Sequence, residues 1–514
     1  MTVTSSSWSF RIVSNTEVNI SVHDAQSMNT RWENFTQRMF NQNQFAIKLG
    51  LDSMNRALDL SSLTHLSHKV ILVAGTNGKG TLASTMSSLL SASGLKVGLY
   101  TSPHLVDFTE RFRINGQIIS REDVLPIGLD VLDKFADPES SPCLTFFELT
   151  TMIAVRLFEH HQVDVAIYEV GMGGRLDATN ALEPDLCVLG SIGFDHQTYL
   201  GDTIEHIAHE KLGITRPDVP LFVSHQDHQG ADALLSMLRH VPLFIFGRNL
   251  GIQSNFDPEW YRPEYQVSQP EEDNDSERDV IWWYHSNQRH NVEVEEWGGF
   301  KSWYQRCHLT TAIAAAHYTL TQLLQDSACA NTLVSHLPQI IPRMRWPGRL
   351  EIIHTTELLP QREVELLCDA AHNPDGVQSL FEFVRDSDYR PEFIVFSSLA
   401  DKSVEHMLHV FSDWLSDYDE DNKPAFYVAE LDTPRAASSQ LLKEACARAG
   451  VSLSHAPQPT SALLGIIGES FTPSSLKSSD EPVRGIVFGS IYLLGECFQA
   501  LKSASQTDPL LQVE

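Results

Sequence analysis

The sequence predicts an α/β protein in two parts, the larger built on a doubly wound, mainly parallel sheet and the smaller a second α/β domain. Three observations carry that expectation. Short apolar strands alternate with helical segments from about residue 70 onward, and each strand ends in polar residues. A glycine-rich turn, AGTNGKGT (Ala74–Thr81), joins the first strand to the first long helix. A stretch containing Pro and Gly, RMRWPGR (Arg343–Arg349), interrupts the alternation before it resumes, as a domain junction does.

A chain of 514 residues has ample material for core and holds roughly two to four domains. Its 42% apolar and 20% charged content is that of a soluble globular protein. The net charge of −29 argues against nucleic acid or an anionic membrane as partner. Any anionic ligand must therefore find a local positive site. No apolar run reaches the length of a membrane span. The first residues, MTVTSSSWSFRIVSN, lack the apolar core of a secretory leader, so a cytoplasmic location is expected. Seven scattered cysteines with no C-x-x-C pair read as reduced, mostly buried thiols.

In chain order, residues 1 to about 35 are polar and Ser/Asn-rich, and are expected to pack loosely. Phe45–Leu60 opens the domain with helical spacing after a turn at Gly50. Val70–Val73 forms a buried strand and Leu82–Leu90 a helix, so Gly75, Gly78 and Gly80 sit between them. That layout presents backbone N–H groups and a helix N-terminus to a phosphate. Lys79 would add a point charge for the β/γ-phosphates, and Thr81 a hydroxyl near Mg²⁺. Gly80 stands where a strict P-loop has Ser or Thr, and a plain βα turn remains the alternative for this stretch alone.

Val97–Tyr100 is the next strand, running into Thr101–His104, with Arg111 and Arg113 close behind. Carboxyl ends of strands are where open α/β sheets bind ligands. Thr145–Phe158 reads as a helix. Val163–Val170 reads as a strand delivering Glu169, whose carboxylate suits a metal ligand or a base. Leu186–Ile192 brings Asp195 and His196 to the same edge, and the Thr203–Lys211 helix carries Lys211. Asn255–Gly299 breaks the pattern with aromatics and the acidic run Glu271–Asp279, and is read as a strand-bearing insertion with one solvated loop. Helix resumes at Tyr304–Leu324. Beyond the junction, Glu365–Cys368, Phe393–Ser397, Ala425–Val428 and Gly485–Phe488 read as strands, with Ser416–Lys423 and Ser474–Pro482 as exposed loops.

The motifs GTNGKGT, TSPHLVDFTERFRING, TFFE, YEVGMGGRLDATN, FDHQTYLGDTIEHIAHEKLGI, WPGRLE, DAAHNPDG and FGSIYLLGE occur in that order. Together they closely resemble the dihydrofolate synthase/folylpolyglutamate synthase family of Mur-ligase-like amide ligases. The resemblance runs from about Phe45 to the C-terminus, outside 255–299. It implies an N-terminal P-loop-type ATPase domain with a mainly parallel sheet and a C-terminal Rossmann-like domain, with the active site between them. The expected limits are an extension over 1–36, an ATPase and pterin-binding domain over 37–343, and a glutamate-ligase domain over 344–514. The implied reaction joins L-glutamate to 7,8-dihydropteroate through an acyl phosphate made with ATP, giving dihydrofolate. Extension of reduced folates to polyglutamates is the implied second activity. GTNGKG with RLDATN resembles the members capable of dihydrofolate synthesis, whereas the folylpolyglutamate-only eukaryotic enzymes usually carry lysine where Asn77 stands. The rivals are a folylpolyglutamate synthase only, a non-catalytic folate- or nucleotide-binding paralogue, a cell-wall Mur ligase and a P-loop kinase.

Site residues carry over by the same resemblance. Lys79, Lys211, His372 and Arg111 form the expected catalytic set. ATP contacts are implied at Asn77, Gly78, Lys79, Gly80, Thr81, Arg349 and Asp369. Ser102, Glu169 and His196 match Mg²⁺ positions, with Thr81 for the nucleotide-side metal. The histidine leaves Mn²⁺ open, and a monovalent cation is a further candidate ion. Lys211 matches the lysine that this family carbamylates; a plain lysine paired with Glu210 or a phosphate is the alternative. Arg111, His372 and Ser490 match positions handling the incoming glutamate, where an arginine binds a carboxylate bidentately. Leu49, Gly50, Leu51 and Asp52, then Thr145, Phe146, Phe147 and Glu148, then Arg175, Leu176 and Asp177 match dihydropteroate-binding segments. Asp177 is expected on the 2-amino/N3 edge of the pterin. One departure stands out: the family's Gln-x-x-Asn keeps Gln305 here but has His308 in the Asn slot, so an altered adenine contact is expected. A monomer is expected.

Overall fold

Val70, Leu72 and Ala74 enter one hydrophobic core, while Ile71 and Val73 enter another on the opposite face. That alternation is the mark of a central strand covered on both sides. In the computed structural model, residues 22–42, 50–238, 241–253, 279–286, 288–356, 358–359, 362–387, 389–419, 422–470 and 482–504 are described. The strands of the first sheet are β1 (Lys69–Ala74), β2 (Val97–Tyr100), β3 (Phe112–Ile114), β4 (Gln117–Ile118), β5 (Val165–Glu169), β6 (Leu186–Leu189), β7 (Leu221–Val223) and β8 (Leu243–Ile245). Their order is β4-β3-β2-β5-β1-β6-β7-β8. From β2 to β8 every neighbouring pair is parallel, while β3 and β4 add an antiparallel edge. Val73 pairs with Glu169 and Ala74 with Leu189, so β1, β5 and β6 end together. The glycine turn, Glu169 and the Gly190–His196 loop thus start from one edge.

The Lys79–Ala92 helix begins at Gly78, which adopts φ +81° and leaves the first turn without a side-chain cap. Its first N–H groups therefore stay available to an anion. By contrast, Thr145 and Glu148 cap the Phe146–His161 helix reciprocally, as Ser302 and Gln305 cap the Trp303–Tyr318 helix. Leu82, Ala83, Met86 and Leu90 share a core with Leu309, Ala312, Ile313 and Ala316, so the latter helix backs the nucleotide-type one.

Three expectations change at the level of elements. The loosely packed N-terminal extension is instead, from residue 22, a helix, Val22–Phe40, that buries Trp32, Phe35 and Met39 in the main core. Their spacing of three and four residues makes one apolar stripe among polar neighbours. The insertion does carry strands, but its sheet starts earlier: β9 (Leu250–Gln253), β10 (Asp279–His285) and β11 (Gln288–Val294) pair antiparallel in the order β11-β10-β9. Most of the acidic run, with Trp260 and Tyr261, lies outside the described residues, as does nearly all of 474–482. The long helix of 304–324 ends at Tyr318 and continues as a π-turn, Thr319–Leu323.

Beyond the junction, β12 (Glu351–Thr355), β13 (Val364–Asp369), β14 (Phe393–Phe396), β15 (Ala425–Glu430), β16 (Gln458–Pro459) and β17 (Val483–Phe488) form a second sheet in the order β12-β13-β17-β14-β15-β16. All pairs but β12–β13 are parallel. Asp369 sits opposite Phe488, which brings the chain leading to His372 alongside the chain leading to Ser490. Among the described residues no helix is long and apolar enough to cross a membrane.

Candidate active site

The glycine turn closes over its own lysine. Lys79 Nζ donates to the carbonyls of Gly75 (3.0 Å) and Thr76 (3.1 Å). Lys211 Nζ, arriving from the Ile204–Leu212 helix, donates to the same Gly75 carbonyl at 2.9 Å. Two lysine side chains thus meet on one oxygen. Burial lowers the pKa of both, and Lys79 lowers that of Lys211 further. Opposite them, Glu169 is buried and accepts the Ser102 N–H at 3.0 Å. Burial raises its pKa, against the pull of Lys79, Arg349 and Arg111. A Cβ on Gly80 would stand 3.7 Å from Glu169 Oε1 and 3.2 Å from Trp346 Nε1. Glycine after the lysine therefore leaves space between the loop and the carboxylate.

The second half of the site is built across the domain junction. Asp195 accepts from Lys402 Nζ at 2.7 Å, and its other oxygen lies 3.4 Å from His372 Nε2. Burial alone would raise the Asp195 pKa, but His372, Lys402 and His196 hold it well below the ordinary carboxylate range. His196 adopts a left-handed backbone (φ +51°) that turns its ring toward Lys402, with Nε2 3.3 Å from Nζ. Burial pushes its pKa down to about 3, so the ring is neutral and able to ligate a cation. His372 Nδ1 donates to the Ala370 carbonyl at 2.8 Å, and burial lowers its pKa against the pull of Asp195. Asn77 of the glycine turn and Asn373 exchange amide hydrogen bonds of 3.2 and 2.9 Å. These ties join stretches some two to three hundred residues apart, and Lys402 was not singled out by the sequence. Its one signal is its place after the carboxyl end of β14, the position that drew attention in the first sheet.

Other expected residues are placed as follows. Arg111 is buried, donates from Nε to His104 Nδ1 at 2.9 Å and lies over the Phe146 and Phe108 rings at 5.5 and 5.9 Å. The neighbouring loop is tied down by Glu110, which accepts the N–H groups of Leu105, Val106 and Asp107. Asp369 accepts from the N–H groups of Leu350 and Ala371, both at 2.8 Å. Ser490 is buried at the start of the Ile491–Ala504 helix and accepts the Tyr492 N–H at 3.2 Å. A cleft beside the Lys79–Ala92 helix is lined by Thr81, Thr85, Gln305, Trp346 and Arg349. Leu49 lies outside the described residues; Gly50 has φ +139°, and Leu51 and Asp52 begin the Asp52–Leu60 helix. Leu176 is half-buried.

Other side chains of the expected set bond within the protein itself. Asp177 is engaged by its own loop. Oδ2 accepts from Gly171 and Met172 N–H (3.0 Å each) and Oδ1 from Thr179 N–H and hydroxyl (3.0 and 2.7 Å). A carboxylate has about four acceptor positions, and the loop uses all of them. Within the capping box, Glu148 leaves Oε1 buried without a hydrogen-bond partner. Arg175 pairs with Glu210 at 2.8 Å, which removes Glu210 as the partner of Lys211. His308 is turned under the glycine turn: Nδ1 shares a 2.7 Å bond with Ser224 Oγ, and Nε2 would lie 2.1 Å from a Cβ on Gly78. Burial pushes its pKa down to about 3.

The donor set fits a divalent cation shared with phosphates. Glu169 and His196 both feel the charge of Lys79, and Ser102 is tied to Glu169 through its N–H, so oxygen and nitrogen donors lie around that lysine. Among the described residues no three His, Cys, Asp or Glu side chains form an all-protein cage. Mg²⁺ is characteristically held by one or two carboxylates plus substrate phosphates.

A glycine-turn ATPase-type sheet joined through buried charges to a second parallel sheet defines a protein of the Mur-ligase class. Residues 73–249 match the Mur ligase middle domain. The chain is 30% identical over 391 residues to the dihydrofolate synthase/folylpolyglutamate synthase of Haemophilus influenzae, covering 72% of this chain and 78% of that one. It is 28% identical over 472 residues to that of Bacillus subtilis, covering 89% and 96%. The bifunctional folylpolyglutamate synthase/dihydrofolate synthase of Yersinia pestis, solved with AMPPNP and a Mn ion, superposes with a TM-score of 0.68 at 25% identity, over 91% of this chain and 98% of that one. The chain belongs to the dihydrofolate synthase/folylpolyglutamate synthase family.

Proposed function

We propose that this protein uses ATP to activate the carboxylate of 7,8-dihydropteroate as an acyl phosphate and joins it to the amine of L-glutamate, with reduced folates accepted in a second, polyglutamate-forming activity. The observation carrying this reading is the meeting of Lys79 and Lys211 on the Gly75 carbonyl, opposite buried Glu169 and beside the Asp195–Lys402–His372 crossing. Phosphoryl transfer demands mainly positioning and charge neutralisation. The uncapped helix N-terminus and Lys79 meet the nucleotide phosphates, and Arg349 neutralises charge from the junction. Ser102, Glu169 and His196, with Thr81 on the nucleotide side, would hold Mg²⁺, which when bound offsets charge on the transferring group. The Yersinia pestis relative, with AMPPNP and Mn, supports a divalent cation paired with the nucleotide.

His372 and Arg111 meet the incoming glutamate, with Arg111 held ready by His104 and two phenyl rings. Lys211 is carbamylated in the working enzyme: its lowered pKa favours the neutral amine, which is the form that adds CO2 with loss of a proton. The carbamate would replace repulsion between two lysines with attraction to Lys79.

The test is ADP release measured with dihydropteroate, tetrahydrofolate or neither as acceptor. Release that needs both dihydropteroate and L-glutamate is expected. Turnover with a UDP-sugar peptide, or dihydropteroate binding with no ADP formed at saturating Mg²⁺, would overturn the reading.

A further inference from the structure

His196 Nε2 and the Lys402 ammonium face each other across the two sheets at 3.3 Å. Lys402 is 5% exposed and Asp195, which anchors it at 2.7 Å, is 7% exposed, while the His196 side chain is 25% exposed. The lysine does not reach His196 by chance rotation. Its backbone is fixed in a tight turn after β14, with Lys402 N–H on the Leu399 carbonyl and Val404 N–H on the Lys402 carbonyl. Closure around it is tight. Asp375 Oδ2 comes so close to Gly193 that a Cβ there would lie 1.9 Å from it, and the Asn77–Asn373 pair locks the turn nearby. A neutral imidazole nitrogen that accepts a hydrogen bond has one lone pair to give. That lone pair is either shared with an ammonium N–H or donated to a metal, never both.

We propose that Lys402 and the divalent cation compete for His196, the ammonium of the second domain being driven off Nε2 when the metal binds. The inference rests on the reading of His196 as a metal position. Lys402 keeps its Asp195 partner when displaced, so metal loading breaks one cross-domain tie and leaves the other. The lysine thereby sets metal binding against one of the contacts between the two sheets. Lys402 is a positioning residue in this scheme, acting through His196.

Two measurements on the full-length, nucleotide-free protein test it. In the wild type, reductive methylation with mass-spectrometric readout should label Lys402 faster once Mn²⁺ is added. In Lys402→Met, Mn²⁺ affinity measured by water-proton relaxation should rise about tenfold, the effect of removing one competing charge-assisted hydrogen bond. Labelling that is unchanged or slowed by Mn²⁺, or an affinity in Lys402→Met equal to or below wild type, overturns the proposal. His196→Ala separates the two levels. If it binds Mn²⁺ as the wild type does, the metal reading of His196 has failed; if it loses affinity while Lys402 shows neither effect, only the competition has failed.

Discussion

Lys79 and Lys211 donate to one carbonyl at 3.0 and 2.9 Å, so the charged form of each is buried beside a second lysine. Such repulsion is tolerated where an anion is to bind, because the ligand's charge relieves it. Lys79→Ala should therefore lower ADP formation by at least about 10²-fold while leaving the thermal midpoint equal or higher. A lost activity accompanied by a lower midpoint would mean that the lysine is structural. Asp177 has the opposite character. Its four local hydrogen bonds make it the organiser of the Gly171–Thr179 loop. Asp177→Asn turns an amide toward N–H donors and should cost about 1–3 kcal/mol in urea unfolding. A variant with full stability and weakened dihydropteroate affinity would restore the direct pterin contact. At this scale motifs make residue types legible, because they fix chemistry at short range. What each side chain bonds is not legible, since a loop's internal hydrogen bonds leave no trace in spacing. Lys402 shows the same limit: a lone lysine after a strand becomes informative only when the facing Asp195 is known.

Among the elements, the strands were legible wherever apolar residues ran unbroken, as in β1, β6 and β14, because burial on both faces leaves no polar alternation to confuse the period. The Val22–Phe40 helix was missed because its stripe of Trp32, Phe35 and Met39 is thin within a polar stretch. Phe35 is fully buried, its ring edge-on to Phe108 at 5.8 Å and filling the space that a Cβ on Gly128 would claim. Phe35→Ala should destabilise the protein by about 3–5 kcal/mol, read by denaturant unfolding. A change below 1 kcal/mol would return the helix to a loosely packed role. The insertion sheet docks through histidines: His290 lies 4.6 Å and His285 5.2 Å from His317, ring centre to ring centre. His290 Nε2 and His317 Nδ1 are buried without hydrogen-bond partners. Burial, then His290 and His285, push the His317 pKa from 6.5 down to about 4. The folded state thus binds fewer protons than the unfolded one as pH falls. Stability from this contact is complete above about 6.5 and is lost as pH drops through about 4. His317→Phe should flatten that part of the stability–pH curve, and an identical slope in the variant would rule the contact out as its origin.

For the whole molecule, a chain carrying a net charge of −29 handles polyanions by concentrating cations at one crossing. Lys79, Lys211, Lys402 and Arg349 come from four separate stretches on both sides of the junction, around Glu169 and Asp195. The two-sheet plan was readable from alternating strands and the interrupting WPG. The closure between the sheets was not, because Asn77–Asn373 and Asp195–Lys402 join residues that no local pattern relates. In the proposed reaction that closure would bring a phosphate donor and a carboxylate acceptor together beside these buried charges, where an acyl phosphate is kept from water until it meets an amine. The most direct measurement uses dihydropteroate labelled with ¹⁸O in its carboxylate, turned over with ATP and L-glutamate, with the released phosphate examined by phosphorus NMR. One labelled oxygen per phosphate is predicted, carried across when the acyl phosphate is attacked. Phosphate released without label during amide formation would contradict the account.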